Sequence, residues 1–218
     1  MSSGLDRDYL IDRHAMSPSR VACIPQAPAA PFLSRPARPF GGERLHRVLF
    51  VGNGYWKGFH AAAVALNCLL SDDPALAATW ICPEVSRVGA QSLIDPSVLP
   101  RIAFPGWMAQ EAVVDLFDEH GILLCPSLFE GFCKVFLEAM ARGLCVVATP
   151  TGGMKDIIRD AENGLIVPFH DPDAIVSAVR RLIGNPVFAS GVAEAGLKTS
   201  AGFSWSRTAS ETAAFYEH

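Results

Sequence analysis

The six cysteines (Cys23, Cys68, Cys82, Cys125, Cys133, Cys145) include no C-x-x-C pair, which argues against the common zinc and thiol-exchange patterns. Several lie inside apolar runs, where a reduced cysteine behaves as a small hydrophobe, so a reducing, cytoplasmic setting is expected. The six histidines show neither H-x-x-x-H nor Cys/His ligand spacing, and no metal is expected. No apolar stretch approaches the roughly 20 residues needed to span a bilayer, and the N-terminus has no signal-peptide core. A soluble protein is expected, with membrane contact peripheral at most. There is no basic block, and the formal net charge is -4, which leaves no electrostatic footprint for nucleic acid. Walker loop, G-x-G-x-x-G and G-x-S-x-G are all absent, and no internal repeat is evident.

What is present is a chain of 218 residues, 50% hydrophobic, enough for one full α/β core. Short, largely unalternated apolar runs at 47–52, 79–82, 101–104, 122–125, 144–148 and 165–167 read as strands covered on both faces. Between and after them, helices are expected at 59–70, 109–120, 134–142, 155–159, 172–183, 187–198 and 207–216. This alternation predicts a doubly wound parallel sheet, whose ligands bind beyond the carboxyl ends of the strands. The Pro/Ala-rich stretch from Ala27 to Arg38 suits an extended connector better than a regular element. The expected organisation is therefore a remnant segment at 1–26, a linker at 27–46 and one domain at 47–218.

Two segments could carry chemistry. After the first strand, Gly52-Asn53-Gly54-Tyr55-Trp56-Lys57-Gly58 is a glycine-containing turn feeding a helix. Its backbone can approach a phosphate and Lys57 adds positive charge; a plain turn with a solvated lysine is the alternative. After the fourth strand, Glu130 and Glu138 stand eight positions apart, a helical rise of about 12 Å. They could address opposite ends of an elongated, hydroxyl-bearing ligand, since carboxylates accept from ribose or hexose hydroxyls. The alternative is a helix-dipole partner and an ordinary helix glutamate. Asp171-Pro172-Asp173 has the D-x-D form of some metal sites but reads as an N-cap followed by proline at the first helical position. Asp6-Arg7-Asp8 has the same form and carries no weight.

The stretch PSLFEGFCKVFLEAMARGLCVVATPTGGMKDIIRDAENGLIVP, from Pro126 to Pro168, resembles the donor-binding signature of retaining family 4 glycosyltransferases of the two-domain GT-B type. Glu130 and Glu138 match that family's E-x7-E pair, and the resemblance runs from about Val48 to the C-terminus. It implies a Rossmann-like C-terminal half of a GT-B fold and a nucleotide diphosphate-sugar as co-substrate, with no cofactor and no metal. By this resemblance Glu130 contacts the donor sugar, Glu138 holds the ribose and Lys57 stabilises the departing diphosphate. The N–H groups around Gly131, Phe132, Cys133 and Lys134 would meet phosphate or sugar, joined by the Gly52-Asn53-Gly54 turn. The turn Gly106-Trp107-Met108 is placed near the nucleobase, although Trp107 reads equally well as a core or interface residue.

Three departures matter. Asn53 replaces the family's usual arginine, so the charge on the diphosphate falls more heavily on Lys57 unless Lys134 compensates. Cys133 stands where glycine is usual; it reads as a packed thiol or a reactive one. Residues 1–26 resemble only the closing helix and strand of the acceptor domain, so the rest of that domain is expected to be absent. The leading expectation is transfer of a sugar with retention. The rival is a truncated or split, non-catalytic nucleotide-sugar-binding module, completed by a separately encoded acceptor domain or by self-association. A sugar-nucleotide epimerase is a third, weaker fit.

Overall fold

The computed structural model describes residues 1–217. In chain order the elements are α1 (Gly4–His14), α2 (Ala30–Leu33), β1 (Arg47–Val51), α3 (Phe59–Asp72), β2 (Ala77–Ile81), α4 (Glu84–Gln91), β3 (Ile102–Ala103) and α5 (Gln110–Glu119). They continue with β4 (Ile122–Cys125), α6 (Lys134–Ala141), β5 (Cys145–Ala148), α7 (Gly152–Ile157), β6 (Leu165–Ile166), α8 (Pro172–Gly184), α9 (Pro186–Ser200) and α10 (Trp205–Tyr216). The six strands pair in parallel in the order β3-β2-β1-β4-β5-β6. This is the doubly wound arrangement that the alternating runs predict.

The strands are unalternated because both faces of the sheet are covered. Val48 and Phe50 of β1, Ile122 and Leu124 of β4, and Val147 of β5 face a core built with α3 and α8. Leu49, Leu123, Cys125 and Val146 face the opposite core, built with α5 and α6. The N-cap reading of Asp171 holds: its Oδ1 accepts the Ala174 N–H at 2.8 Å, with Pro172 opening α8.

Three local expectations are corrected. The third strand has two residues rather than four, because Pro100 and Pro105 flank it and proline cannot donate to a ladder. Helix α4 was not expected at all. Its Val85 and Val88 point to solvent and only Ala90 is buried, so it shows no apolar stripe facing a core. Helix α7 runs from Gly152 to Ile157, three residues earlier at its start than expected.

The connector also differs from an extended strap. Within 27–46 the chain forms the single turn α2 and a 3-10 turn at Gly42–His46, and it buries Ala27, Phe32 and Leu45. Phe32 packs edge-on against Phe117 of α5. The connector's carbonyls are held by Arg142, whose guanidinium donates to the backbone oxygens of Phe32, Arg35 and Pro36 at 3.3, 2.7 and 2.9 Å. Arg142 is itself paired with Asp118 through two hydrogen bonds of 2.8 and 2.9 Å. Helix α1 packs on α7, where the Gly4 N–H donates to Asp156 Oδ2 at 2.7 Å. Helix α10 reaches back to the same end of the chain: Trp205 Nε1 donates to Pro28 O at 3.0 Å and Thr208 Oγ1 to Pro25 O at 2.9 Å.

Candidate functional site

In the order 3-2-1-4-5-6 the chain reverses direction of travel between β1 and β4, the switch point at which doubly wound sheets bind their ligands. The turn after β1 and the loop after β4 meet there. Lys57 closes a 3-10 turn, Tyr55–Lys57, between β1 and α3. The turn ends at Gly58, with φ of 69°, and a Cβ on Gly58 would collide with the Pro126 carbonyl. Only glycine lets the two loops come this close. The Leu128 N–H then donates to Trp56 O at 2.8 Å, locking one loop to the other.

This junction brings Lys57 Nζ to 2.5 Å from Glu130 Oε1. Ser127 Oγ donates to the same oxygen at 2.8 Å. Burial pulls the Lys57 ammonium down, but its hydrogen bond to Glu130 and nearby negative potential outweigh that, and its pKa is raised. Lys57 is thus held as a cation. Gly52 lies beneath its stem: its N–H donates to Ile81 O and its carbonyl accepts from Trp80 Nε1, both at 2.9 Å. Gly54 accepts the Lys57 N–H at 3.2 Å.

Glu130 is not on the helix. Helix α6 starts at Lys134, so three residues of irregular loop separate Glu130 from it, and the separation of Glu130 and Glu138 is not a helical rise. Gly131 is exposed and Phe132 is buried. The Phe132 carbonyl accepts the Gly153 N–H at 3.1 Å, and its ring lies so close to Gly153 that no side chain fits there. Cys133 is the N-cap of α6, with φ of 72° and no side-chain cap; the Phe136 N–H turns back to Cys133 O at 3.3 Å, which leaves the N–H groups of Lys134 and Val135 to an external acceptor. The left-handed backbone accounts for the glycine usual at this position. Cys133 is packed among buried side chains, which favours the packed reading over the reactive one. Its neighbour Cys125 is pushed up by a hydrogen bond to Cys133 and by burial. Lys134 is exposed at the start of the helix.

Other expected site residues look elsewhere. Asn53 donates from Nδ2 to Ser86 Oγ of α4 at 3.0 Å, toward β2. Glu138 is half-buried; burial raises its pKa, against the opposing effects of the Ala29 N–H and Lys134. Its Oε1 lies 3.4 Å from the Ala29 nitrogen of the connector. Gly106, with φ of 76°, sits near the Glu84 carboxylate, and Met108 is half-buried in the same turn. Trp107 is exposed, which excludes the core reading. Sequence reasoning missed Ser127, Ala29 and the role of Gly153. The glycine pair after β5 was the one readable signal for the last; the others depend on long-range contacts. Among the described residues no group of three or more His, Cys, Asp or Glu could hold a metal ion, and no helix is long and apolar enough to cross a membrane.

The family model for Glycosyl transferases group 1 matches residues 46–185. The D-inositol 3-phosphate glycosyltransferase of Streptomyces griseus subsp. griseus is 31% identical over 162 residues, covering 70% of this chain and 34% of that enzyme. The chain spans about a third of the length of the first curated relatives it matches. Among solved structures, a glycosyltransferase from Rickettsia africae superposes with a TM-score of 0.80 at 18% identity, over 99% of this chain and 62% of that one. Anabaena HepE, solved in complex with UDP and glucose, superposes with a TM-score of 0.81 at 16% identity, again over 99% and 62%. These two likenesses establish the fold, a Rossmann-like half of the GT-B type.

Proposed function

This chain belongs to the glycosyl transferases group 1 family, and from that membership we propose that residues 47–218 form the donor-binding domain of a sugar transferase. The co-substrate is a nucleotide diphosphate-sugar, and no cofactor is needed. One observation carries the reading: Lys57 and Glu130 meet at 2.5 Å in the crevice between the β1 and β4 loops. A cation there stabilises the diphosphate as it departs, together with the uncapped N–H groups at Cys133 and Lys134. Glu130 accepts from donor sugar hydroxyls near the reacting carbon. Glu138 accepts from the ribose in exchange for its long contact to Ala29. With Lys57 and the helix N-terminus taking the charge, the reaction is metal-independent, and it proceeds with retention, as the E-x7-E signature implies. Gly106 and Met108 line the nucleobase end.

Asn53 favours a second reading. It brings no charge to the diphosphate and is tied to Ser86, as suits a module that binds nucleotide-sugar without catalysing transfer. In either reading residues 1–26 belong with the acceptor half and 27–46 join the two.

Calorimetric titration with UDP, GDP and ADP and their common sugar conjugates, with and without EDTA, tests the donor site. One nucleotide is expected to bind, unaffected by EDTA, and Glu138→Ala is expected to lose it. Failure of all three nucleotides to bind would remove the transferase reading from this chain. Slow hydrolysis of the bound nucleotide-sugar would favour the enzyme; tight binding without hydrolysis would favour the module.

A further inference from the structure

The two chains of sequence that supply Lys57 and Glu130 each place an aromatic residue immediately before the charged one. Trp56 precedes Lys57 and Phe129 precedes Glu130, and the hydrogen bond from Leu128 N to Trp56 O holds these dipeptides side by side. The Trp56 and Phe129 rings stand 6.4 Å apart at 71°, and Tyr55 lies against Trp56 at 5.4 Å and against His170 at 6.2 Å. Tyr55, Trp56 and Phe129 are 55%, 64% and 62% exposed. Large aromatic side chains left this open are unusual unless something covers them.

We propose that Trp56, Phe129 and Tyr55 form a stacking platform for a pyranose ring of the acceptor, beside the reacting pair. This rests on the donor reading above, since it takes the Lys57–Glu130 pair as the point of reaction. Three features select a sugar. The C–H face of a pyranose is apolar and packs on aromatic faces, while its hydroxyls need polar groups at the edge; His170, beside Tyr55, supplies one. The charge at the platform is balanced, because Lys57 is paired with Glu130, so a neutral hydroxylated ligand fits better than an anionic headgroup. The area is also small. Three aromatics of roughly 150–250 Å² each, a little over half exposed, offer on the order of 300–400 Å², below the roughly 800 Å² per partner of a standard protein interface and suited to one or two sugar rings. Trp56 and Phe129 are the chain neighbours of Lys57 and Glu130, and the backbone bond between their loops keeps the platform beside the candidate site.

The test is saturation-transfer NMR on the full chain, with methyl α- and β-pyranosides of glucose, galactose, mannose and N-acetylglucosamine and the corresponding disaccharides, each at millimolar concentration with and without nucleoside diphosphate. At least one glycoside is expected to respond. Trp56→Ala and Phe129→Ala are each expected to weaken that response about tenfold, Trp56→Phe to retain most of it, and nucleotide titration to be unchanged in all three. Unchanged nucleotide binding also shows that the variants fold. No response from any glycoside, or a response that survives both alanine variants, overturns the platform. So does Trp56-dependent pelleting with phosphatidylcholine vesicles, or Trp56-dependent dimerisation in sedimentation, in place of a sugar response. A chain that binds glycosides through Trp56 but no nucleotide would retain the platform and lose the donor reading.

Discussion

Two cation–carboxylate pairs in this protein have opposite surroundings. Arg142 and Asp118 are 0% and 1% exposed, and the guanidinium donates to both Asp118 oxygens and to three connector carbonyls, while Arg35 adds a further bond to Asp118. Lys57 and Glu130 are 37% and 12% exposed and share one short contact. Glu130 Oε1 takes Lys57 and Ser127, and among the described residues Oε2 takes no protein hydrogen bond. The first pair is saturated, so it can only hold the fold. The second keeps donors and lone pairs in reserve at an open crevice, as a site that must exchange partners requires.

The largest expected effect tests the saturated pair. Arg142→Ala takes two hydrogen bonds from the buried Asp118, leaving it Arg35 alone, and removes the donor of three connector carbonyls; it should cost about 3–5 kcal/mol in urea unfolding, and a loss below about 1 kcal/mol would mean that the connector is held by its apolar contacts instead. Replacing both partners with apolar residues should cost less than the single change, because no carboxylate is left buried, although the connector carbonyls still lose their donor.

Lys57→Ala should reverse that balance. Nucleotide affinity by calorimetry should fall about 10–100-fold, the worth of a charge-assisted hydrogen bond of roughly 1.5–3 kcal/mol, while stability should fall by less than for Arg142→Ala, because the pair is partly exposed and Glu130 keeps the Ser127 hydroxyl. A large loss of stability with affinity intact would make Lys57 a structural residue like Arg142.

Cys133→Gly relieves a left-handed backbone that costs an L residue about 1–2 kcal/mol, partly offset by the loss of a packed thiol. A net gain near 1 kcal/mol is expected in thermal or urea unfolding; destabilisation would show that the thiol's packing outweighs the backbone.

The smallest effect concerns Glu138, whose pKa is raised by burial. The folded state therefore holds this proton more tightly than the unfolded one, and the contribution of Glu138 to stability is greatest below its ordinary value of 4.5 and declines as pH rises through the raised value. Relative to the native protein, Glu138→Gln should gain stability over that rise. Parallel curves for the two proteins between pH 4 and 8 would contradict it.

Much of the frame was readable because its signals are local. Six apolar runs without alternation announce a sheet covered on both faces, and Asp171-Pro172 announces the start of α8. The extent of β3 and the existence of α4 were not readable in the same way. Prolines cut the first short, and the second is only eight residues long, with Val85 and Val88 turned to solvent rather than to the core. For the site, Lys57, Glu130 and Glu138 stand out by residue type and by their resemblance to a known signature, but the contact of Glu138 with Ala29 depends on how the connector folds. The connector was read from its prolines as extended, whereas Phe32 and the Arg142 clamp fold it down; that clamp joins residues more than a hundred positions apart.

By itself the sequence determined the alternation of strands and helices, the placing of glycine turns after the first and fourth strands, and the residue types that those turns present. These follow from side-chain period, backbone freedom and capping, all of which act over a few residues. Tertiary structure alone decided that Lys57 meets Glu130 across 73 positions, that Asn53 turns to Ser86, and that Trp56 and Phe129 stand together in solvent. The reason is the strand order, which sets β4 beside β1 and so chooses which two of the six loops share a crevice.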